Sequence, residues 1–386
     1  MALLFRNEFK SFDDDSIKKL TVFDELKLNE KVTLKNRLVM APMTTCASND
    51  DLTVADDEAD YYAARSTGVA MVVTGCTFFQ PNGQGFKNQF YAGSDEFIPS
   101  LKKLADAIKG QGAKAVLQIF HAGREGIHED LVAPSAVKSP KGPLDGSGAR
   151  VPRELKAEEI TEIINGFYET TRRAIEAGFD GVEIHGANGY LIQQFFSGAS
   201  NLRTDEWGGS LENRIKFPLA VIEAVNKAKK EFADDSFIVG YRFSPEEEGE
   251  NGITLADSEF LVDKLSDTEL DYLHLSTAHY RATQKRDNSD RRYIGSVMIE
   301  KINGRKPLIG VGEVMTKVDA NNALEKVGYS LLALGHSIVA DPDWVEKVQR
   351  DEQTDMFIHP NDLAEQHIPV KMAEMIKSVK NWFYFM

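Results

Sequence analysis

The sequence predicts a closed (β/α)8 barrel, in the α/β class, from three observations. Eight short apolar segments recur at fairly even spacing along 386 residues. Most are followed by an amphipathic stretch of helical period. No low-complexity linker and no second composition regime divides the chain. Strands alternating with helices imply βαβ units, and eight such units imply closure into a barrel. Parallel barrels run well past about 200 residues as one domain, so the length does not call for two. The expectation is a single domain over residues 1–386, with barrel strands spanning about 37–337.

Each segment has the look of a buried parallel strand, rich in Val, Ile, Leu or aromatics and bounded by Gly, Pro or polar residues. In order they are RLVMAPM from Arg37, GVAMVVTGC from Gly68, KAVLQIFHA from Lys114 and GFDGVEIHGA from Gly178. FIVGYRFS from Phe237, YLHLST from Tyr272, PLIGVGEV from Pro307 and YSLLALGHS from Tyr329 complete the set. Between them lie the helical stretches EFIPSLKKLADAIKGQG, EEITEIINGFYETTRRAIEAG and KVDANNALEKVG. The last two place a glycine just past the pattern, a favoured C-terminal stop. Outside the barrel the reading leaves an N-terminal extension, a long loop from Gly123 to Arg153 after strand three, and a C-terminal tail. Loops after strands lie on the catalytic face of such barrels, so the long one is expected to be a lid or pocket wall, the alternative being a surface elaboration. The tail ends in Trp382-Phe383-Tyr384-Phe385-Met386. Four aromatics there call for packing near the barrel mouth or on a second subunit, or elsewhere on the same chain.

Composition narrows the function. Against 60 Asp+Glu stand 45 Lys+Arg, a net charge of −15, which disfavours nucleic acid or an anionic membrane as main partner. A hydrophobic fraction of 42% supports a sizeable core. Two cysteines, Cys46 and Cys76, exclude a disulfide scaffold and any multi-Cys zinc or iron–sulfur site, and both are expected to be packing residues. No metal site is expected. The start, MALLFRNEFKSFDDD, has no long apolar region, and no run approaches the ~18 residues of a membrane span. A cytoplasmic location is expected.

Strand parity locates the chemistry. Alternate residues of a barrel strand face the axis. If Val182 and Ile184 face the helices, Glu183 and His185 face inward, with His185 at the carboxyl end. The same parity turns Gln118 and Arg242 inward near that rim. An Arg inside a barrel needs an anion or polar ligand. A lone inward His is more often a packed core residue, but His, Gln and Arg on one rim point to a site. After His185 the chain reads Gly-Ala-Asn-Gly-Tyr, where it turns into a helix. An i, i+3 spacing in a helical turn could set His185 beside Asn188 as two donors suited to a carbonyl or phenolate oxygen, with Tyr190 able to deliver a proton. A Gly-rich turn with incidental polar residues is the alternative.

The stretch HGANGYLIQQFFSGASNLRTDEWGGSLENR, from His185 to Arg214, resembles the signature of the Old Yellow Enzyme family of flavin-dependent ene-reductases. LKNRLVMAPMTT, LQIFHAGR and LALGHSIVADPDW are similar to that family in order and spacing, so the likeness covers almost the whole chain. The resemblance implies a TIM barrel holding FMN non-covalently, reduced by NADH or NADPH. The hydride then passes to an activated alkene, quinone or related small-molecule acceptor. It implies that Ala41, Pro42, Met43 and Thr44 line the flavin, that Gly75 lets the ring approach strand two, and that Gln118 meets the pyrimidine edge. Arg242 would sit where negative charge gathers on reduction. His185 and Asn188 would hold the substrate carbonyl, Tyr190 would protonate the neighbouring carbon, and Gly312, Gly335 and His336 would meet the FMN phosphate through backbone N–H groups. Thr44 and His336 depart from other branches, which often have Cys and Arg there.

With no G-x-G-x-x-G after a strand, a nicotinamide is expected to dock over the flavin in the substrate position, giving ping-pong kinetics. The chain has neither the cysteines nor the length for the iron–sulfur cluster and second flavin domain of larger relatives. A tRNA-modifying flavin barrel and a non-enzymatic flavin-carrying barrel are the rival readings, and a homo-oligomer is possible.

Overall fold

The computed structural model describes residues 19–287, 289–379 and 382–386. The first 18 residues of the expected N-terminal extension, including the stretch read for a signal peptide, lie outside the described residues. All eight predicted strands are present: β1 Leu38–Met40, β2 Met71–Phe78, β3 Lys114–Ile119 and β4 Gly181–Gly186, then β5 Ile238–Phe243, β6 Tyr272–Leu275, β7 Leu308–Val311 and β8 Leu331–Leu334. Neighbours in sequence pair in parallel, β8 pairs with β1 through Leu332 and Leu38, and the ring closes.

Period-two alternation sorts each strand between two cores. Val39, Met71, Val73, Val116, Ile238, Ile309, Leu331 and Ala333 share one apolar cluster on the barrel axis. The opposite parity, Leu38, Val72, Leu117, Val182, Val239, Leu273 and Leu332, packs with the surrounding helices. Helix Ala157–Glu176 shows how that outer layer forms. Ile160, Ile163, Phe167, Thr170, Thr171 and Ala174 recur at helical spacing and are buried. Each fully buried large apolar side chain contributes roughly 1.5–3 kcal/mol. Gly178 ends the turn that follows at φ +90°, a conformation with little cost only for glycine.

A short antiparallel hairpin, Leu26–Lys27 with Thr33–Leu34, was not foreseen from sequence. Leu26, Leu28, Val32 and Leu34 join the axial cluster and plug the floor of the barrel. Asn29 fixes the turn by accepting from the N–H groups of Lys31 and Val32, and its amide donates to Asp271, just before β6.

The long loop after β3 is anchored on the catalytic face. Val132–Ala133 pairs with Arg153–Glu154, and the buried Arg203 donates to the carbonyls of Pro134 (2.9 Å) and Leu155 (2.7 Å). The C-terminal tail packs on its own chain at the barrel mouth. Phe383 is edge-on to His336 just past β8, with centroids 4.5 Å apart, and Phe385 bridges Ile358. Among the described residues no helix is long and apolar enough to cross a membrane.

Candidate active site

At the carboxyl end of the strands the axial cluster turns polar. Glu183 on β4 has no exposed surface, yet three donors meet its carboxylate. Gln118 Nε2 donates at 2.8 Å from β3, Tyr272 O–H at 2.9 Å from β6, and His274 Nδ1 lies at 2.9 Å. Arg242 on β5 is aligned with His185 on β4 and buried. Its Nε has no hydrogen-bond partner among the described residues, and neither does His274 Nε2. Burial alone would raise the Glu183 pKa. His274, Arg242 and Gln118 override it and hold the carboxyl below its ordinary value.

His185 is prepared as a neutral donor. Burial, then the Arg242 charge, push its pKa down to about 3. Nδ1 accepts the N–H of Ala187 at 3.3 Å, so in the neutral ring the proton sits on Nε2. Tyr190 stands edge-on to His185 (5.1 Å, 87°) and to Phe120 (4.5 Å, 73°). Burial raises its pKa far above the phenolic range, so it keeps its proton for delivery.

The expected helical turn between His185 and Asn188 is not what forms. Residues 187–190 make a tight turn closed by Tyr190 N–H to Ala187 C=O, and the helix starts only at Leu191. Asn188 (φ +58°) and Gly189 (φ +81°) both take left-handed conformations, the reason Asn-Gly suits the turn. Asn188 Oδ1 accepts from Ser276 Oγ at 2.8 Å, and its N–H is held by Ser244 Oγ. With Oδ1 committed, the amide NH2 is left as the free donor. The geometry still supplies donors, by a turn pinned from β5 and β6 rather than by helical spacing.

The other predicted residues line the same rim. Ala41 and Pro42 are buried, and Met43 and Thr44 half-buried, just after β1. Thr44 Oγ1 lies 3.1 Å from Cys76 Sγ. Burial pushes both Cys46 and Cys76 up to about 12, so they remain thiols. At Gly75 a Cβ would strike the carbonyl oxygen of Met43 at 2.8 Å, so a side chain is excluded first by the backbone just after β1. Gly312 (φ +111°) follows β7, and a Cβ there would meet the backbone of Ala278 and His279. Gly335 follows β8 and is different. The nearest atom to an added Cβ is Met43 Sδ at 3.8 Å, an ordinary contact, so the protein does not crowd this position. The His336 ring packs on Phe383, and burial lowers its pKa. In this packing it is a neutral, apolar-facing ring, which leaves the backbone N–H groups as the local anion donors.

Sequence reasoning passed over Tyr272, His274 and Glu58, and gave Glu183 a direction but no role. Glu58, on helix Asp56–Ala64, is fully buried and accepts from the hydroxyls of Thr45 and Ser48 (2.9 Å to Ser48). Burial pushes its carboxyl up to about 7. Much of the long motif is scaffold: Gln194 bonds Arg124, Ala122 and Gly189, while Gln193 bonds Glu247. Among the described residues no group of three or more His, Cys, Asp or Glu could hold a metal ion.

Residues 21–355 match the model of the NADH:flavin oxidoreductase / NADH oxidase family. The chain belongs to that family. Old Yellow Enzyme is its type, so this is an oxidoreductase barrel. The chain is similar to a probable NADH-dependent flavin oxidoreductase, YqiG, of Bacillus subtilis (strain 168), 44% identical over 94% of this chain and 97% of that protein. It is also similar to the NADH:fumarate oxidoreductase of Klebsiella pneumoniae (strain 342), 43% identical over 87% of this chain but only 36% of that protein. Among solved structures, morphinone reductase superposes with a TM-score of 0.76 at 27% identity, over 88% of this chain and 92% of that one.

Proposed function

We propose that this chain binds FMN non-covalently and carries hydride from NADH to an activated alkene, with quinones as further acceptors, in a ping-pong cycle. The observation that carries the reading is the buried, unpartnered Arg242 Nε on the rim shared with His185. A buried guanidinium of this kind calls for an electron-rich polar ligand. The uncrowded space at Gly335 fits such a ligand too, since no neighbouring protein atom demands glycine there. Bound FMN supplies a two-electron carrier that takes hydride from a nicotinamide and passes it on. Arg242 would hold the electron-rich edge of the ring system. Gln118, whose Nε2 is committed to Glu183, offers Oε1 as an acceptor. Ala41, Pro42, Met43, Thr44 and Gly75 form the wall from β1 and β2, and the backbone at Gly312, Gly335 and His336 receives the phosphate.

NADH is the proposed reductant because it is the name common to the family and both curated relatives. NADPH remains the alternative for the titration to exclude. The chain spans about a third of the fumarate-reducing relative, so the chemistry named there does not carry over to this part. The alkene role is argued from this site. His185 Nε2–H and the Asn188 amide polarise a carbonyl oxygen, which makes the conjugated carbon electrophilic. Tyr190 then protonates the adjacent carbon. The walls at Phe120 and Phe86, both within ring contact of Tyr190, fit a small planar acceptor.

Two measurements test this. Anaerobic NADH should bleach the flavin absorbance near ~460 nm, a property of the cofactor. A colourless protein that takes up no FMN would end the reading. Tyr190→Phe should slow enone reduction by roughly 10²–10⁴-fold while bleaching and quinone turnover stay near wild type. Equal losses in all three would leave Tyr190 as a packing residue.

A further inference from the structure

We propose that Glu183 is a positioning residue: its fixed negative charge, held by Gln118, Tyr272 and His274, sets how readily bound FMN accepts electrons. This rests on the FMN reading above. Three donors from two strands converge on a carboxylate with no exposed surface. A carboxylate so deep is ionised only where donors and a cation compensate it, and Arg242 on the adjacent strand supplies the cation. No hydrogen bond joins Arg242 to Glu183 among the described residues, so the guanidinium keeps its N–H groups for a ligand while its charge is partly offset. The site is therefore close to neutral beneath the place where a reduced ring would bring negative charge.

The same carboxylate decides which ends of its neighbours face the site. Because Glu183 Oε1 takes Gln118 Nε2, the Gln118 amide is fixed with Oε1 free as an acceptor. Because Glu183 Oε2 lies 2.9 Å from His274 Nδ1, the neutral ring must carry its proton there. That leaves Nε2, buried and without partner among the described residues, as a lone pair. One acidic side chain thus fixes one amide orientation and one tautomer. Gly240, opposite Glu183 on β5, adds no side chain to the layer.

The test is the midpoint potential of the FMN-loaded protein, measured spectroelectrochemically, with the dissociation constant of oxidised FMN measured in parallel. Glu183→Gln keeps the shape and removes the charge, which leaves the Arg242 cation unopposed. Reduced FMN should then be favoured over oxidised FMN by about tenfold, a rise of about 30 mV for a two-electron couple. Glu183→Asp keeps the charge but shortens its reach, so oxidised FMN should bind several-fold more weakly with the midpoint near wild type. Should Glu183→Gln fail to fold, Tyr272→Phe withdraws one donor from an intact carboxylate and should lower the midpoint by a few-fold in the same ratio. A lowered melting temperature with an unmoved midpoint in Glu183→Gln, or in Tyr272→Phe where Glu183→Gln does not fold, would mean that Glu183 is structural only and overturns the proposal. A wild-type protein that takes up no FMN fails the function reading and this inference with it. FMN bound by wild type with a midpoint that Glu183→Gln or its substitute Tyr272→Phe leaves unmoved fails this inference alone.

Discussion

Glu58 and Glu183 are both fully buried carboxylates near the mouth of the same barrel, and their protonation runs in opposite directions. Among the described residues Glu58 meets two hydroxyls and the backbone at Ala55 but no cation, and burial pushes it up to about 7. Glu183 meets an amide, a phenol and an imidazole beside Arg242, which hold it below the ordinary carboxylate range against the same burial. Depth alone does not set charge; the donors and cations around the group do. The difference follows from the fold. A barrel axis gathers side chains from several strands onto one point, whereas Glu58 on its helix reaches only the loop that follows β1.

Removing the cation should break that contrast most strongly. Arg242→Met leaves Glu183 a buried carboxylate with donors but no counter-charge. Uncompensated buried charges of this kind cost roughly 3–5 kcal/mol. Denaturant unfolding of the apoprotein at pH 8 should show that loss, and the double variant with Glu183→Gln should recover most of it. A single variant as stable as wild type would show that Arg242 does not support Glu183. FMN binding should be lost in both variants.

The contrast also marks what was legible in the sequence. Eight apolar segments and strand parity gave the barrel and turned Glu183, His185, Gln118 and Arg242 inward, because the period-two rule is local. Local pattern could not say what Glu183 touches, since Tyr272 and His274 arrive from a strand about ninety residues on. The helical turn expected at Asn188 did not form for the same reason: the turn there is pinned by Ser244 and Ser276, which no helical spacing predicts. The floor hairpin was missed although LKLNEKVTL alternates around a turn, because two-residue strands fall below the length at which alternation stands out. Glu58 looked like one more acidic residue in a helix's first turn. Only tertiary packing buries it.

Titrating Glu58 sharpens the comparison from the other side. Its folded pKa of about 7 lies above its ordinary value of 4.5, so the folded protein prefers the protonated form. The stability this contributes is fully present below about pH 4.5 and is lost as pH rises through about 7. Over that window the loss is roughly 3 kcal/mol. Glu58→Gln keeps a neutral partner for Thr45 and Ser48 at every pH. Relative to wild type it should gain about that much on going from pH 4.5 to 8, read as the difference between two unfolding profiles so that all other groups cancel. Parallel profiles would mean that Glu58 is ionised in the fold, like Glu183.

His336 provides the smallest effect and a third environment, burial with a ring neighbour and no close partner. Desolvation lowers its pKa, and the nearby Glu313 opposes this only in part. A depressed His stabilises the fold in its neutral form above about 6.5, and the contribution is lost as pH falls through the folded value. At neutral pH the ring then offers the proposed phosphate no charge, and backbone N–H groups are left to bind it. The expected FMN dissociation constant is flat from about pH 6.5 to 9. His336→Arg introduces a permanent cation, but its side chain must leave Phe383 to reach the phosphate, so the gain is partial: roughly three- to tenfold tighter binding, about 1 kcal/mol, below the full value of a charge-assisted contact. The opposite pattern is as clear. A wild-type affinity that weakens steadily across that range, with the Arg variant abolishing the slope, would place a protonated His336 on the phosphate and require the ring to swing away from the tail.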